Sequence, residues 1–378
     1  MVDWRGDIAI IGGGIVGLSI AWQVAKNDPA ARIAVIDAGP SVGGSTSAAA
    51  GMLAPSFETP SPSMSSELAH VLNDFCFDAL GLWKSFSGEL EEEAGVAIDY
   101  EVTGALGVAC GVERATALRA TFEKQIADGA VLEWLDGDAV RSIESALSPA
   151  IEGAIFAHGD GRVDPRKAAR ALRRALERRG VALLSGTVRS TKVSGSGWRL
   201  ELAEGNALEA ERLVIATGAG EMIDGVAPQP VSSVKGEAYT AHMNAEKELY
   251  HIIRAEEAYL CTRPEGMIYV GATEAPARTD LDPDPAGIAR LAEGAAKLVP
   301  AAAKWRETTR SAGLRPVTPD HAPILGAAPS GPETVFFALG AYRNGVLMAP
   351  AIAREIASLI DGARASAAVS AFSPGRFR

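Results

Sequence analysis

Three glycines, Gly12, Gly14 and Gly17, stand at GxGxxG spacing within GGGIVG. The chemistry of that spacing is the binding of a dinucleotide diphosphate: the first glycine permits a tight turn, the second lets backbone reach a pyrophosphate, and the third lets a helix pack on a strand. A diphosphate held there meets a helix N-terminus, where free N–H groups and the helix dipole favour negative charge. Asp37, twenty residues past Gly17, is spaced to accept hydrogen bonds from adenosine ribose hydroxyls. The fingerprint itself serves NAD and FAD equally.

These residues need a strand on either side of a helix. Residues 7–11 (DIAII) are an apolar run ending at Gly12, residues 15–26 read as a helix, and Ile33 to Ile36 form a second apolar run. That order, over about 30 residues, is the signature of a parallel βαβ unit. The segment that follows, GGSTSAAAGMLAP at 43–55, has small side chains and hydroxyls. A chain of this kind runs flat along a diphosphate and then under a flavin ring, which favours FAD over NAD.

Farther along, Glu58 to Glu67 is rich in Pro and Ser and reads as a mobile surface loop that could act as a lid. A helix is expected over 165–179, with Pro165 at its start after Asp164 and Gly180 beyond its end. Strands are expected at Val181–Leu184, Trp198–Leu202 and Leu213–Ala216, the last running into TGAG, and a final helix at about Pro350 to Ile360. Internal repeats and coiled-coil heptads are absent.

With 378 residues, 47% of them hydrophobic, the chain can build two domains, each with a core. A net charge of -11 works against nucleic acid and anionic membranes, although a few arginines in a dry cleft can still bind a small anion. Cys76, Cys110 and Cys261 suggest neither a disulfide framework nor a metal site. The N-terminus lacks the pattern of a signal peptide, and no apolar run approaches the roughly 20 residues of a membrane helix. A soluble, cytoplasmic protein is expected.

GGSTSAAAGMLAP resembles the flavin-binding segment of the glycine oxidases, within the D-amino acid oxidase and sarcosine oxidase family. AGLRPVTPDHAPILG (312–326) and GAYRNGVLMAP (340–350) are similar to the family's two arginine-bearing motifs. VDP at 163–165, ATG at 216–218, VKGE at 234–237 and YVGAT at 269–273 appear in the family's order, so the resemblance covers nearly the whole chain. It implies an α/β architecture with two parts. A Rossmann-like FAD-binding domain of the glutathione-reductase kind would comprise 1–76, 141–235 and 310–378. An inserted α+β substrate domain on a mixed sheet would comprise 77–140 and 236–309.

The resemblance also distributes roles. Arg343, in the YRNG loop, matches the family's carboxylate-binding arginine, and a guanidinium fork suits that task because it meets two oxygens at once. Arg315, in GLRP, matches a second arginine near flavin and substrate. Tyr259 corresponds to an active-site tyrosine whose hydroxyl can bond the carboxylate, and Met52 to the residue beside the flavin ring. Further FAD contacts are implied at Ala38, at Ser45, Thr46, Ala50 and Gly51 in the small-residue segment, and at Val188 and Gly218. Gly340, Arg343, Asn344, Gly345 and Val346 would wrap the pyrimidine end, with N–H groups of Gly345 and Val346 facing the carbonyl that gains negative charge on reduction.

No general base stands out, so the implied reaction is direct hydride transfer from a neutral small amino acid or amine. The products would be an imine, its 2-oxo acid and ammonia, with molecular oxygen reduced to hydrogen peroxide. The alternative is a dehydrogenase of the same fold that passes electrons to a quinone or carrier. Without a cysteine near Arg315 or Arg343, FAD is expected to bind non-covalently. Homo-oligomers and supply of an imine for the thiazole half of thiamine are further implications of the resemblance. Two departures bear on the substrate: Ala341 replaces a usual histidine, and Glu274 follows YVGAT where some members have methionine. Ala341 would open space and Glu274 add negative charge, which suggests a substrate larger or more basic than glycine.

Overall fold

The strand Trp4–Ile11 buries Ile8, Ala9, Ile10 and Ile11 in succession, because a central parallel strand is covered on both faces. Parallel neighbours flank it: Ile33–Asp37 on one side and Ala207–Ile215 on the other. The structure, a computed structural model, describes residues 2–39, 44–58, 61–220, 222–245, 248–276, 278–329 and 334–377. Among the described residues the first sheet has eight strands. Ile324–Ala327, Val335–Leu339, Ala207–Ile215, Trp4–Ile11, Ile33–Asp37 and Ala182–Ser185 form its main path, and Gly197–Leu202 and Val188–Ser194 branch from Ala207–Ile215.

Helices Ile15–Asn27, Ser66–Ala94, Pro165–Arg178 and Gly345–Ile360 bury Trp22, Trp83, Leu172 and Ile352 in the core on one face of this sheet. The other face buries Trp198, Leu200 and Phe337. Helix Pro165–Arg178 starts as expected: the Asp164 side chain accepts from the N–H groups of Arg166 and Lys167, and Pro165 occupies the first turn, where no N–H is needed.

Two element boundaries differ from expectation. The last helix begins at Gly345 and carries Pro350 inside it. Burial of Val346, Leu347 and Met348 against the core outweighs the preference of proline for a first turn. The polar stretch expected from Glu58 to Glu67 ends early, because Ser65 caps a 29-residue helix starting at Ser66 and accepts from the Leu68 N–H. Of that stretch, residues 59 and 60 lie outside the described residues.

The second sheet also has eight strands, in the order Arg306–Val317, Ser232–His242, Met267–Gly271, Tyr259–Thr262, Ile252–Arg254, Ala105–Cys110, Ile151–Ala157 and Glu133–Asp136. Among the described residues only Ile252–Arg254 with Ala105–Cys110 is parallel, so the sheet is mixed, as the resemblance implied. One face packs Val270, Leu260 and Ile268 with Ile288, Leu291 and Leu298 of helix Pro285–Leu298. The other carries a small cluster of Ala50, Ala54, Ala105, Ala238, Ile252, Cys261 and Tyr269, around which Met52, Phe57 and Tyr259 pack. Small side chains there let the segment from Ser45 to Ala54 cross closely over the sheet. Gly313, for example, would bring a Cβ to 2.5 Å from the Ala48 Cβ.

Candidate active site

Three adjacent parallel strands end side by side, and a glycine turn follows each: Gly12 after Ile11, Gly218 after Ile215, Gly340 after Leu339. Ligands of open α/β sheets collect at this carboxyl edge. All three glycines have positive φ, at 117°, 63° and 68°, a region that side-chain-bearing residues rarely enter.

Within the fingerprint the glycines differ in what surrounds them. A Cβ on Gly12 would lie 2.2 Å from the Ala216 carbonyl oxygen, and one on Gly17 would lie 2.0 Å from that of Gly12. Around Gly14 the nearest atom is the Thr46 Oγ1, 3.3 Å away. The outer two glycines thus serve packing, and the middle one leaves backbone accessible. Gly14 is also the N-cap of helix Ile15–Asn27 and supplies no side-chain cap; the Thr46 hydroxyl accepts the Ile15 N–H at 3.0 Å. Asp37 ends its strand with one carboxylate oxygen accepting from Gly13 N–H and the other from Gly39 N–H at 2.8 Å. Each oxygen has a second lone pair for a sugar hydroxyl. Sequence reasoning missed Gly13 because backbone donors carry no side-chain signal.

The small-residue segment is pinned from several sides. Ser45 donates to the Leu314 carbonyl, Arg263 to that of Ala50, and Tyr269 to that of Ala48. Gly51, at φ 71°, would put a Cβ 2.1 Å from the Val163 carbonyl oxygen. Met52 pairs with Arg162 in a two-stranded ribbon. At the other end of the site, Asn344 precedes helix Gly345–Ile360 without a side-chain cap, so the first N–H groups of a second helix are available at the same edge. Val188 is buried among Ile11, Ile36 and Ile215, while Ala38 is exposed beside Asp37. An open backbone at Gly14, an acid at the second strand end and the helix N-terminus at Gly345 without a side-chain cap form a donor and acceptor set that fits FAD.

On the substrate side, Arg315 projects from strand Arg306–Val317 across Gly236, where a Cβ would lie 2.2 Å from its Nη2. Its Nη1 donates to the Thr273 carbonyl at 3.2 Å, and among the described residues it has no carboxylate within ion-pair distance. Tyr259 stands opposite Gly271 in the strand pairing, with its ring parallel to that of Tyr269 at 6.2 Å. Burial raises the Tyr259 phenol above its ordinary pKa, and the Arg315 charge works in the opposite sense. These two expected residues therefore share one site.

Arg343 does not stand free. Its Nη2 and the Tyr342 hydroxyl both donate to Oε1 of Glu274, each at 2.5 Å. Burial by itself would favour the neutral form of Glu274, yet the Tyr342 and Arg343 donors hold it below the usual carboxylate range. Arg343 is correspondingly raised, burial being outweighed by Glu274. Tyr342 sits at φ 44°, a constrained turn that aims neighbouring side chains at one acceptor. Ala341, expected to open space beside the flavin, is buried in the first core.

Two further charged groups were not legible in advance. Lys235 is fully buried and pairs with Asp280 at 2.6 Å and Glu237 at 3.1 Å. Glu237 accepts from the Thr273 hydroxyl at 2.9 Å, so this network fixes the residue whose carbonyl holds Arg315. Near Phe57, Glu58 pairs with Arg254 at 3.1 Å. Asp160, buried and bonded to Ser56 at 3.0 Å, is pushed up to about 7 by desolvation. In the sequence Lys235 is marked only by its place beside Gly236 in VKGE, and Asp160 gives no signal.

A family model described as FAD dependent oxidoreductase matches residues 7–359. The chain is 32% identical over 367 residues to a glycine oxidase of Bacillus licheniformis, covering 95% of this chain and 94% of that protein. It is 31% identical over 379 residues to the bifunctional protein ThiO/ThiG of Synechocystis, covering 98% of this chain and 54% of the other, so it spans about half of that relative. The crystal structure of glycine oxidase from Geobacillus kaustophilus is similar with a TM-score of 0.89 and 30% identity, over 99% of both chains.

Proposed function

We propose that this chain, which belongs to the FAD-dependent oxidoreductase family, oxidises glycine or a closely related small amine or amino acid. Bound FAD would supply the hydride acceptor for the substrate α-carbon. The observation that carries the reading is Arg315, a guanidinium with no acid partner among the described residues, beside the Tyr259 hydroxyl on the face that Met52 also lines.

The residues divide the work. Arg315 and Tyr259 hold the substrate carboxylate, with Arg343, itself engaged by Glu274, flanking it, and so fix where the α-carbon sits; positioning of this kind carries much of the catalysis. Met52 would pack beside the flavin ring, and the N–H groups of Gly345 and Val346 at their helix N-terminus would favour negative charge on the neighbouring carbonyl. Gly12, Gly14, Gly17, Asp37 and the segment from Ser45 to Met52 hold the adenosine diphosphate half. The amine reacts uncharged and no side chain acts as general base. The imine is hydrolysed to 2-oxo acid and ammonia.

We take the electron acceptor to be molecular oxygen, giving hydrogen peroxide, and the enzyme to be a cytoplasmic homo-oligomer with non-covalent FAD, all on the family resemblance. The same resemblance points to supply of an imine for the thiazole of thiamine. No helix among the described residues is long and apolar enough to cross a membrane. For the domain division we follow sheet and core membership in place of the expected boundaries at 76/77 and 140/141. Helix Ser66–Ala94, whose Trp83 and Leu90 lie in the first core, goes with the FAD-binding part, and strands Glu133–Asp136 and Ile151–Ala157 go with the substrate part.

Anaerobic titration of the yellow protein with glycine, sarcosine, D-alanine, D-proline and a basic D-amino acid tests the reading. Bleaching of the flavin by a small amino acid is expected. A spectrum indifferent to every one of them would end it.

A further inference from the structure

The two arginines of the substrate side are held by consecutive residues: Arg315 by the carbonyl of Thr273, Arg343 by the carboxylate of Glu274. They differ in charge balance. Among the described residues Arg315 meets only a backbone carbonyl, whereas Arg343 already has an acid and a phenol sharing its space. The nearby Glu58 is matched by Arg254. Two guanidinium charges against the one carboxylate of Glu274 leave a single uncompensated positive charge. A site of that balance accepts one substrate carboxylate.

Resting on the proposed amine oxidation, we infer that Glu274 is the specificity determinant that limits the site to substrates with one acid group, by occupying Arg343 as an internal carboxylate. A second acid on the substrate must compete with Glu274 for Arg343. If it wins, it places two carboxylates beside one guanidinium, and like charges at that separation disfavour each other. If it loses, its charge faces the Glu274 carboxylate with no cation left to offset the repulsion. Arg343 and Glu274 retain 41% and 43% side-chain exposure, so a ligand can reach the pair and the competition is open. Tyr342 strengthens the internal pair by donating to the same Glu274 oxygen.

Replacing Glu274 by a neutral residue therefore frees Arg343 and raises the acid capacity of the site from one to two. A dicarboxylic amine such as iminodiacetate becomes a substrate, and a dicarboxylate without an amine, such as malonate, becomes a ligand.

The test uses FAD-loaded wild type, Glu274→Gln and Glu274→Met. One measurement is kcat/KM for iminodiacetate relative to glycine. The other is malonate and acetate binding, read from perturbation of the flavin spectrum. The expected result is that each variant raises the iminodiacetate-to-glycine ratio, and the malonate-to-acetate affinity ratio, by roughly tenfold or more, the effect of gaining one charge-assisted hydrogen bond. Ratios within about twofold of wild type in both variants overturn the inference. Wild type that oxidises no amine would instead sink the proposed function, and malonate binding would still decide the role of Glu274.

Discussion

The guanidinium of Arg315 occupies the space that Gly236 leaves by having no side chain: a Cβ on Gly236 would lie 2.2 Å from Nη2 and 2.3 Å from the central guanidinium carbon. The two residues sit on neighbouring strands two register positions apart, on the same face, since Arg315 pairs with Val234 and Gly313 with Gly236. A methyl group there meets the far end of a flexible side chain, not backbone. Gly236→Ala should therefore move the guanidinium and leave the sheet intact. We expect kcat/KM for glycine to fall about tenfold or more, the order of one lost charge-assisted hydrogen bond, with the melting temperature nearly unchanged. Native kinetics in this variant would mean Arg315 does not touch substrate.

Arg343→Ala removes a cation and exposes Glu274, whose carboxylate then faces the incoming substrate carboxylate. KM for glycine should rise while FAD content stays near native. In the double variant Arg343→Ala/Glu274→Gln the repulsion disappears, so the double should bind glycine better than the single. Steady-state kinetics of the three proteins checks this, and additive effects would show that the pair does not act as a unit.

The fingerprint glycines should separate folding from cofactor binding. Gly17→Ala drives a Cβ to 2.0 Å from the Gly12 carbonyl oxygen and should yield little folded protein. Gly14→Ala meets only the Thr46 hydroxyl, at 3.3 Å, so it should fold yet lose FAD, because the methyl group stands where the diphosphate approaches. Circular dichroism and bound-flavin absorbance distinguish the two outcomes. A yellow, stable Gly14→Ala protein would count against diphosphate binding at this turn.

Asp160 should make stability fall with rising pH. Desolvation pushes its carboxyl up to about 7 from an ordinary 3.8, so the folded state binds a proton that the unfolded state releases. Below about pH 4 both states are protonated and burial costs nothing extra. Between about 4 and 7 the stability contribution is lost progressively, up to about 4 kcal/mol at ~1.36 kcal/mol per unit. Asp160→Asn stays neutral throughout. Denaturant titrations should show it gaining on wild type at pH 8 and not at pH 4; equal gaps at both values would refute the assignment.

Lys235→Met should destabilise the substrate side. It leaves Glu237, which is 4% exposed, without its cation, and an uncompensated charge inside the protein is destabilising. Because Glu237 also anchors the Thr273 hydroxyl, glycine KM should rise in the fraction that folds. Urea midpoints and kinetics on the soluble variant report the two effects separately.

Much of the cofactor half was readable from the chain because its signals are local. The turn at Gly12, the helix from Ile15 and the acid at Asp37 lie within about 30 residues, and each is specified by backbone freedom or apolar period. The Asp164 and Pro165 helix start was legible for the same reason. Where long-range packing overrides local preference, reading failed: Pro350 lies inside a helix because Val346 to Met348 are buried with it. Arg315, Tyr259 and Arg343 came from a likeness of motifs, since an arginine before a proline has no intrinsic mark of a ligand.

The amino-acid order alone thus determined the glycine turn, the βαβ unit and the order of the family's motifs, all of them consequences of neighbours along the chain. The fold decided which charges meet. Glu274 and Arg343 are 69 residues apart and Arg315 and Thr273 are 42 apart, and no periodicity links either pair. Their encounters follow from how the strands Ser232–His242, Met267–Gly271 and Arg306–Val317 pair and from where the turn after Leu339 delivers Arg343, because strand register and sheet order set distances that spacing in one dimension cannot.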